Sequence, residues 1–221
     1  MSRMVALCLM FLQLSCQDRS REGWIDENVV QLPVGEDWVS LGGNYMQQHY
    51  STLRQIDTST VQDLGFAWEY DARSTIGKVP RGLEATPFVV DGIMYTSGAW
   101  GFVYALDARN GREIWRYDPN VDASYNRRAC CDVVNRGVAV WKGKVYVGTL
   151  DGYLLCLNAA DGSKVWSKSL VDQLGGEVPK WGFCESPLVY KHMILCTPGG
   201  ENGAIAALDK TSGDLLWQAN E

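Results

Sequence analysis

The segment Ala105-Leu-Asp-Ala-Arg-Asn-Gly-Arg-Glu-Ile-Trp115 recurs twice further along the chain. The later copies read Cys156-Leu-Asn-Ala-Ala-Asp-Gly-Ser-Lys-Val-Trp166 and Ala207-Leu-Asp-Lys-Thr-Ser-Gly-Asp-Leu-Leu-Trp217, so the final tryptophans are 51 residues apart in both intervals. Each copy predicts a short apolar strand, a turn and a second strand that ends at the tryptophan. Glycine supplies the positive φ that such a turn needs, and Asp or Asn supports the turn through its side chain.

A second predicted hairpin precedes each copy. Its three versions are Pro87-Phe-Val-Val-Asp-Gly-Ile-Met-Tyr-Thr96, Val138-Ala-Val-Trp-Lys-Gly-Lys-Val-Tyr-Val147 and Pro187-Leu-Val-Tyr-Lys-His-Met-Ile-Leu-Cys196. Two hairpins make four strands in about 50 residues, which is the size of a β-propeller blade. We therefore predict an all-β fold, a β-propeller over residues 38–221. The recurring tryptophan is expected to bury its ring between neighbouring blades rather than to bind a ligand.

Composition argues against several classes of protein. The net charge is -6 over 221 residues and no Lys/Arg-rich run is present, which argues against a nucleic acid as partner. The only two histidines are His49 and His192, and the sequence has no Cys-x-x-Cys pair. The residues therefore do not encode a zinc ribbon or a c-type haem.

The N-terminus, residues 1–16, predicts an export signal. Arg3 precedes an apolar stretch over residues 4–12 that is too short to span a bilayer. Cys16 follows Ser15 as in a bacterial lipoprotein box, although Gln13 stands where that box usually has Leu, so a lipid anchor at Cys16 and a plain signal both stay open. Either version predicts an oxidising, extracytoplasmic location, in the periplasm or on the membrane. Residues 17–37 are polar and unpatterned and predict a linker.

Two adjacent cysteines, Cys130 and Cys131, lie in the run Ala129-Cys-Cys-Asp-Val-Val-Asn-Arg-Gly137. Their Cα atoms would be about 3.8 Å apart, below the usual disulfide range of roughly 4.4–6.8 Å. The pair is therefore either a strained vicinal disulfide or two reduced, partly buried thiols. The later cysteines, which are Cys156, Cys184 and Cys196, allow at most one more bridge and are expected mainly as small core residues.

These motifs resemble a known family. The repeat Ala-x-Asp-x-x-x-Gly-x-x-x-Trp is similar to the tryptophan-docking repeat of pyrroloquinoline quinone (PQQ) propellers. Residues 38–166 resemble the N-terminal blades of quinoprotein alcohol dehydrogenases, including the quinohaemoprotein type. The specific matches are Arg81-Gly-Leu-Glu-Ala-Thr-Pro87, the double-cysteine run and Val147-Gly-Thr-Leu-Asp-Gly152. The resemblance implies a partial PQQ-type propeller, with about three to four of the family's eight blades.

The resemblance also implies a cofactor site for PQQ, a flat o-quinone with three carboxylates. Cys130 and Cys131 would pack as a disulfide on one face of the ring. Arg136 would donate hydrogen bonds to the cofactor, a role suited to a planar charged guanidinium, and Glu84 would hydrogen-bond its edge. The residues alone allow a second interpretation, in which Arg136 is a surface arginine at a strand start and Glu84 a solvated loop residue.

The third repeat departs from the family pattern. Where the family has Thr-Gly-Ala-Pro, with a threonine that contacts PQQ, this chain has Cys184-Glu-Ser-Pro187. Where the family has Gly-Gly-Ala-Glu, with a glutamate that binds calcium, this chain has Gly199-Gly-Glu-Asn202. The predicted calcium ligand is therefore Glu201, displaced by one residue, or it is replaced by Asn202. This repeat is more similar to PQQ-like propellers without demonstrated redox chemistry.

Together these features imply the N-terminal part of a periplasmic, PQQ- and calcium-dependent alcohol dehydrogenase that oxidises small-molecule alcohols. No residue matches the family's catalytic aspartate, so we assign no catalytic residue and expect the chain alone to be incomplete for catalysis. Further propeller blades or an electron-acceptor protein are the expected partners. The alternative is a non-catalytic PQQ-like propeller, an envelope lipoprotein that binds other proteins. The third repeat favours that alternative, whereas the double cysteine favours the dehydrogenase, since a scaffold has little use for a vicinal disulfide.

Overall fold

The computed structural model describes residues 24–72, 82–127, 129, 132–201 and 203–219. Within them the chain forms three four-stranded antiparallel sheets, each in sequential strand order. Blade 1 contains β1 (Phe88–Val90), β2 (Ile93–Ser97), β3 (Val103–Asp107) and β4 (Glu113–Tyr117). Blade 2 contains β5 (Ala139–Trp141), β6 (Lys144–Gly148), β7 (Tyr153–Asn158) and β8 (Lys164–Ser169). Blade 3 contains β9 (Leu188–Tyr190), β10 (Met193–Cys196), β11 (Ile205–Asp209) and β12 (Leu215–Ala219). The predicted propeller architecture is confirmed.

Short 3-10 helices complete the regular structure of the described residues. They span Val29–Gln31, Val61–Asp63, Ala99–Gly101 and Ala123–Arg127. None of the helices in the described part of the chain is long and apolar enough to cross a membrane.

The turn between the third and fourth strands of each blade has the predicted chemistry. In blade 1 the Asp107 carboxylate accepts a hydrogen bond from the Arg109 amide (2.9 Å), and Gly111 has φ +71°. That backbone hydrogen bond is the main cause that lowers the pKa of Asp107. The equivalent acceptors and glycines in the other blades are Asn158 with Gly162 and Asp209 with Gly213. The side chain and the glycine together set the geometry of the hairpin.

The recurring tryptophans dock between blades, as predicted. The Trp115 indole N–H donates to the Ala159 carbonyl in the turn of blade 2 (2.8 Å), and its ring lies against Gly162. A Cβ atom added to Gly162 would be 2.6 Å from the Trp115 ring, so only glycine fits there. Trp166 repeats this contact on blade 3, with Lys210 as acceptor and Gly213 under the ring.

A tyrosine accompanies each of these two tryptophans. The Tyr95 hydroxyl donates to the same Ala159 carbonyl as Trp115 (3.3 Å), and the two ring centroids are 6.1 Å apart. Tyr146 and Trp166 share the Lys210 carbonyl in the same way. Burial raises the pKa of Tyr146, so its hydroxyl remains a donor at any ordinary pH. The sequence analysis did not predict this second donor.

The segment before blade 1 contributes one further docking contact. Trp68 donates its indole N–H to the Ala108 carbonyl (3.1 Å), and its ring lies against Gly111. Blade 1 therefore receives the same contact from Trp68 that it gives to blade 2 through Trp115. The last of the repeating tryptophans, Trp217, is 44% exposed.

The structure differs from the linker expected over residues 17–37. Within the described part of that range, Ile25, Val30 and Val34 are all buried. Their spacings, five and four residues, do not follow the alternation of a strand, so the sequence pattern predicted no sheet element here. Ile25 and Val30 are buried because they join the core cluster of the blades, which is remote in sequence, and Val34 packs beside Gly43.

Residues 24–47, which we call the N-terminal segment, contact all three blades. The Ile25 carbonyl accepts a hydrogen bond from the Lys142 amide of blade 2 (3.0 Å), and Trp38 exchanges two backbone hydrogen bonds with Val89 of blade 1 (2.7 and 2.8 Å). The Tyr45 hydroxyl donates to a carbonyl of β9 in blade 3 (2.6 Å). The segment therefore ties the blades together.

Two of the later cysteines, Cys156 and Cys196, belong to the core or pack against it, as expected, whereas Cys184 is a partly exposed loop residue. Cys156 is fully buried beside Tyr146, and this burial raises the pKa of its thiol to about 12. Cys196 packs partly against the same core. In the described part of the chain, none of Cys156, Cys184 and Cys196 belongs to a disulfide.

Candidate functional site

Three loops meet where the first strand of each blade begins. They lead into β1, β5 and β9, and β5 contacts β9 directly. We call this end of the sheets the site end. Gly137 lies at the centre of the three loops with φ +136°. A Cβ atom there would be 3.6 Å from the Thr86 carbonyl oxygen and 3.7 Å from the Ser186 hydroxyl oxygen, so one position touches the loops of blades 1 and 3.

Glu84 and Arg136, to which the family resemblance assigned contacts with the cofactor, lie next to each other at this end. The Arg136 Nε atom is 3.7 Å from a Glu84 carboxylate oxygen. Their side chains are 60% and 43% exposed, respectively. An ion pair this exposed contributes little to stability. Both groups are therefore open to a ligand, and the guanidinium can present a planar set of donors to a carboxylate.

The Arg136 backbone is held by hydrogen bonds of its loop. Its amide donates to the Cys184 carbonyl in the loop that leads into blade 3 (3.0 Å). The preceding residue, Asn135, is 3% exposed and bonds to Ser97 of β2 and to Gly148 of β6. The sequence analysis quoted Asn135 within the double-cysteine run without assigning it a role. Its position directly before Arg136 is the feature of the sequence that could have indicated a role for it at the site.

Cys130 and Cys131 lie outside the described residues, so their predicted disulfide and ring contact stay predictions. The residues that follow them are anchored to blade 1, because the Trp100 amide donates to the Val133 carbonyl (2.8 Å). Trp100 has φ +64° and Asp132 has φ +104°. Non-glycine residues in this region carry backbone strain, which is often found at functional sites.

The third repeat brings different groups to the site end. Cys184 contributes its backbone carbonyl to Arg136, and the next residue, Glu185, accepts a hydrogen bond from the Thr197 hydroxyl. Glu201 is exposed, and Asn202 lies outside the described residues. Among the residues that the structure describes, no three His, Cys, Asp or Glu side chains are grouped so that they could hold a metal ion.

Two mainly apolar cavities adjoin the loop that leads into blade 3. One, of about 260 Å³, lies between blades 2 and 3 and includes Leu154, Phe183 and Leu195 in its walls. The other, of about 440 Å³, lies between the N-terminal segment and the first strands. Ser186 and Pro187 line both. The charged groups that suit an anion, Glu84 and Arg136, are not among the residues that line either cavity.

A family model described as the β-propeller domain of PQQ glucose/ethanol/alcohol dehydrogenases matches residues 38–218. Among curated proteins, the chain is 44% identical to a quinohemoprotein alcohol dehydrogenase of Comamonas testosteroni over 88% of its own length and 27% of the relative's. It is 39% identical to quinohemoprotein alcohol dehydrogenase ADH IIB of Pseudomonas putida, over 99% of its own length and 31% of that protein's.

Solved structures give the same result. The crystal structure of the Comamonas testosteroni quinohemoprotein alcohol dehydrogenase superposes with a TM-score of 0.81 at 40% identity, covering 92% of this chain and 30% of that one. A europium-containing methanol dehydrogenase superposes with a TM-score of 0.74 at 34% identity, covering 87% and 33%. The chain thus spans between about a quarter and a third of the relatives that it matches.

Proposed function

Because this chain belongs to the PQQ glucose/ethanol/alcohol dehydrogenase β-propeller family, we propose that it supplies part of the cofactor-binding wall of a PQQ-dependent alcohol dehydrogenase. The observation that carries the proposal is the convergence of Glu84 and Arg136 at the site end, 3.7 Å apart and both accessible. The substrate would be a small-molecule alcohol, the compound class in the names of its relatives.

The donor set fits a planar quinone with carboxylate groups. An arginine guanidinium such as that of Arg136 can bind a carboxylate through two parallel, charge-assisted hydrogen bonds. Glu84 accepts hydrogen bonds, so it can orient the guanidinium and receive a donor from the cofactor's edge. Cys130 and Cys131, if paired, would add a rigid surface for one face of the ring. When bound, PQQ supplies the two-electron acceptor for alcohol oxidation.

In this proposal the residues of the chain bind and orient the cofactor, and none has a catalytic role. Arg136 contributes positive charge where carboxylates bind. Glu84 limits the rotamers of Arg136, because the two side chains attract each other at 3.7 Å. This restriction of the Arg136 side chain reduces the conformational freedom that a ligand must remove on binding.

For calcium, the proposal names one ligand in this chain, the carboxylate of Glu201. Calcium takes about six to eight oxygen ligands, and among the described residues the exposed Glu201 belongs to no group of three or more His, Cys, Asp or Glu side chains that could hold a metal ion. The described residues do not by themselves form a calcium site, so no step of the proposed function depends on the ion.

Titration of the purified, oxidised chain with PQQ tests the proposal. Arg136→Ala should weaken binding about 10- to 100-fold, since hydrogen bonds to a charged group contribute roughly 1.5–3 kcal/mol. Arg109→Ala is the matched control, because Arg109 is 83% exposed in a turn remote from the site. Repeating the titration with calcium, and with Glu201→Gln, shows whether the ion contributes.

A folded parent chain that does not bind PQQ would contradict the proposed function. The alternative, a non-catalytic propeller that binds other proteins, would then be the remaining hypothesis. Equal losses in the Arg136 and Arg109 variants would show that binding is nonspecific attraction of an anion.

The proposal includes a location outside the cytoplasm. It is supported by the charged and apolar pattern of residues 1–16 and by the need of a Cys130–Cys131 disulfide for an oxidising compartment. Fractionation of bacteria that express the full chain should recover it in the periplasmic or membrane fraction. If Cys16 is lipidated, Cys16→Ser should move the protein from the membrane to the soluble periplasmic fraction. Recovery in the cytosol would contradict the location.

A further inference from the structure

We propose that Asn135 is the positioning residue for Arg136, and that it holds the arginine at the site end by linking blade 1 to blade 2. The inference rests on the proposed function in so far as Arg136 binds a ligand. It concerns a residue to which neither the sequence pattern nor the family resemblance gave a role.

Asn135 uses both ends of its side-chain amide. Its Oδ1 atom accepts from the Ser97 hydroxyl (2.6 Å) and from the Gly137 amide (3.1 Å). Its Nδ2 atom donates to the Gly148 carbonyl (2.7 Å). An asparagine side chain offers a donor and an acceptor on two separate atoms, whereas an ionised aspartate at this position would only accept.

These hydrogen bonds connect two blades. Ser97 is the last residue of β2 in blade 1, and Gly148 is the last residue of β6 in blade 2. Ser97 is 1% exposed and Asn135 is 3% exposed, so their bonds are shielded from competing water. A lost partner would leave a buried polar group unsatisfied, which costs more than an exposed hydrogen bond contributes.

Arg136 follows directly in the chain and depends on this link. Asn135, the residue before Arg136, is anchored by its own side chain, and that side chain also accepts a hydrogen bond from the amide of Gly137, the residue after Arg136. The Arg136 amide itself donates to the Cys184 carbonyl in the loop that leads into blade 3. The backbone of Arg136 is thus fixed by all three blades, while its side chain stays 60% exposed. A side chain that binds a ligand needs both a fixed backbone and an accessible functional group.

A double-mutant cycle tests the inference in the full chain. Asn135→Ala should weaken PQQ binding about tenfold, and combining it with Arg136→Ala should weaken binding no more than about twofold beyond Arg136→Ala alone, because residues that act as one unit are not additive. Ser97→Ala, which removes a single hydrogen bond to Asn135, should weaken PQQ binding several-fold. It replaces Asn135→Ala in the cycle if that variant does not fold.

The matched control is Asn44→Ala. Asn44 is also buried and also makes two side-chain hydrogen bonds, to Leu32 and Met46, but it lies in the N-terminal segment. Its replacement should lower thermal stability without weakening PQQ binding by the folded chain. Additive losses for Asn135 and Arg136, or an equal loss in Asn44→Ala, would overturn the positioning role.

A second readout does not need the cofactor. Asn135→Ala should speed hydrogen exchange at the Arg136 and Gly137 amides at least about tenfold, while the amides of Val145 and Leu157 in the blade 2 core keep their parent rates. Unchanged exchange at Arg136 and Gly137 would overturn the inference even if PQQ binds. If the parent chain does not bind PQQ, the proposed function fails, and this readout still decides whether Asn135 positions Arg136.

Discussion

Replacing Trp115 by alanine should lower the free energy of unfolding by about 3–5 kcal/mol, the usual loss for a large aromatic core residue. Trp115 is 7% exposed, lies against Gly162 and donates its indole N–H to the Ala159 carbonyl. Its removal opens a cavity between blades 1 and 2. The remaining donor to Ala159, the Tyr95 hydroxyl at 3.3 Å, is the longer of the two bonds. Equilibrium denaturation followed by tryptophan fluorescence and by circular dichroism measures the loss.

Trp217→Ala is the control within the same repeat. Trp217 occupies the same place in blade 3 as Trp115 in blade 1, but it is 44% exposed. Its replacement should therefore cost under about 1 kcal/mol, as for most exposed positions. Equal losses in the two variants would show that the tryptophan stabilises its own blade, and that docking onto the next blade contributes little.

Replacing Gly162 by alanine should also destabilise the chain strongly, by about 2–5 kcal/mol. Two causes add. The φ of +72° is unfavourable for a residue with a Cβ atom, by roughly 1–2 kcal/mol. The new Cβ atom would lie 2.6 Å from the Trp115 ring, and relieving such overpacking costs typically about 1–3 kcal/mol. The ring must then move away from the blade 2 turn, which also lengthens its hydrogen bond to Ala159.

Gly92→Ala separates the two causes. Gly92 has nearly the same φ, +74°, in the turn between β1 and β2, but a Cβ atom there meets nothing within 4 Å. Its replacement should cost only the backbone part, about 1–2 kcal/mol. The difference between the two variants, measured by urea denaturation, gives the energy of the tryptophan contact. If both alanine variants lose the same stability, the close packing of Trp115 on Gly162 is contradicted.

The arrangement of Trp68, Trp115 and Trp166 shows what a local repeat can predict. Each tryptophan donates to the carbonyl three residues before the glycine on which its ring lies. Acceptor and glycine belong to a single turn, so one motif in the sequence specifies both. The docking of blades was therefore predictable from spacing alone.

The candidate site was predictable only in part. Glu84 and Arg136 were singled out by resemblance, and the structure places their charged groups 3.7 Å apart. Asn135 was not singled out, because its partners Ser97 and Gly148 come from different blades and share no motif with it. A buried asparagine is recognised only when the surrounding blades are in place.

By itself the sequence determined the strands, the hairpin turns and the stacking of blades, since strand alternation and turn chemistry act over a few residues. Only the tertiary structure decided where the N-terminal segment lies. Tyr45 bonds to Val189, 144 residues away, and Ile25 is buried although two acidic residues, Asp26 and Glu27, follow it in the sequence. Burial and hydrogen bonding between such distant residues depend on the folded arrangement of all three blades, which no local pattern contains.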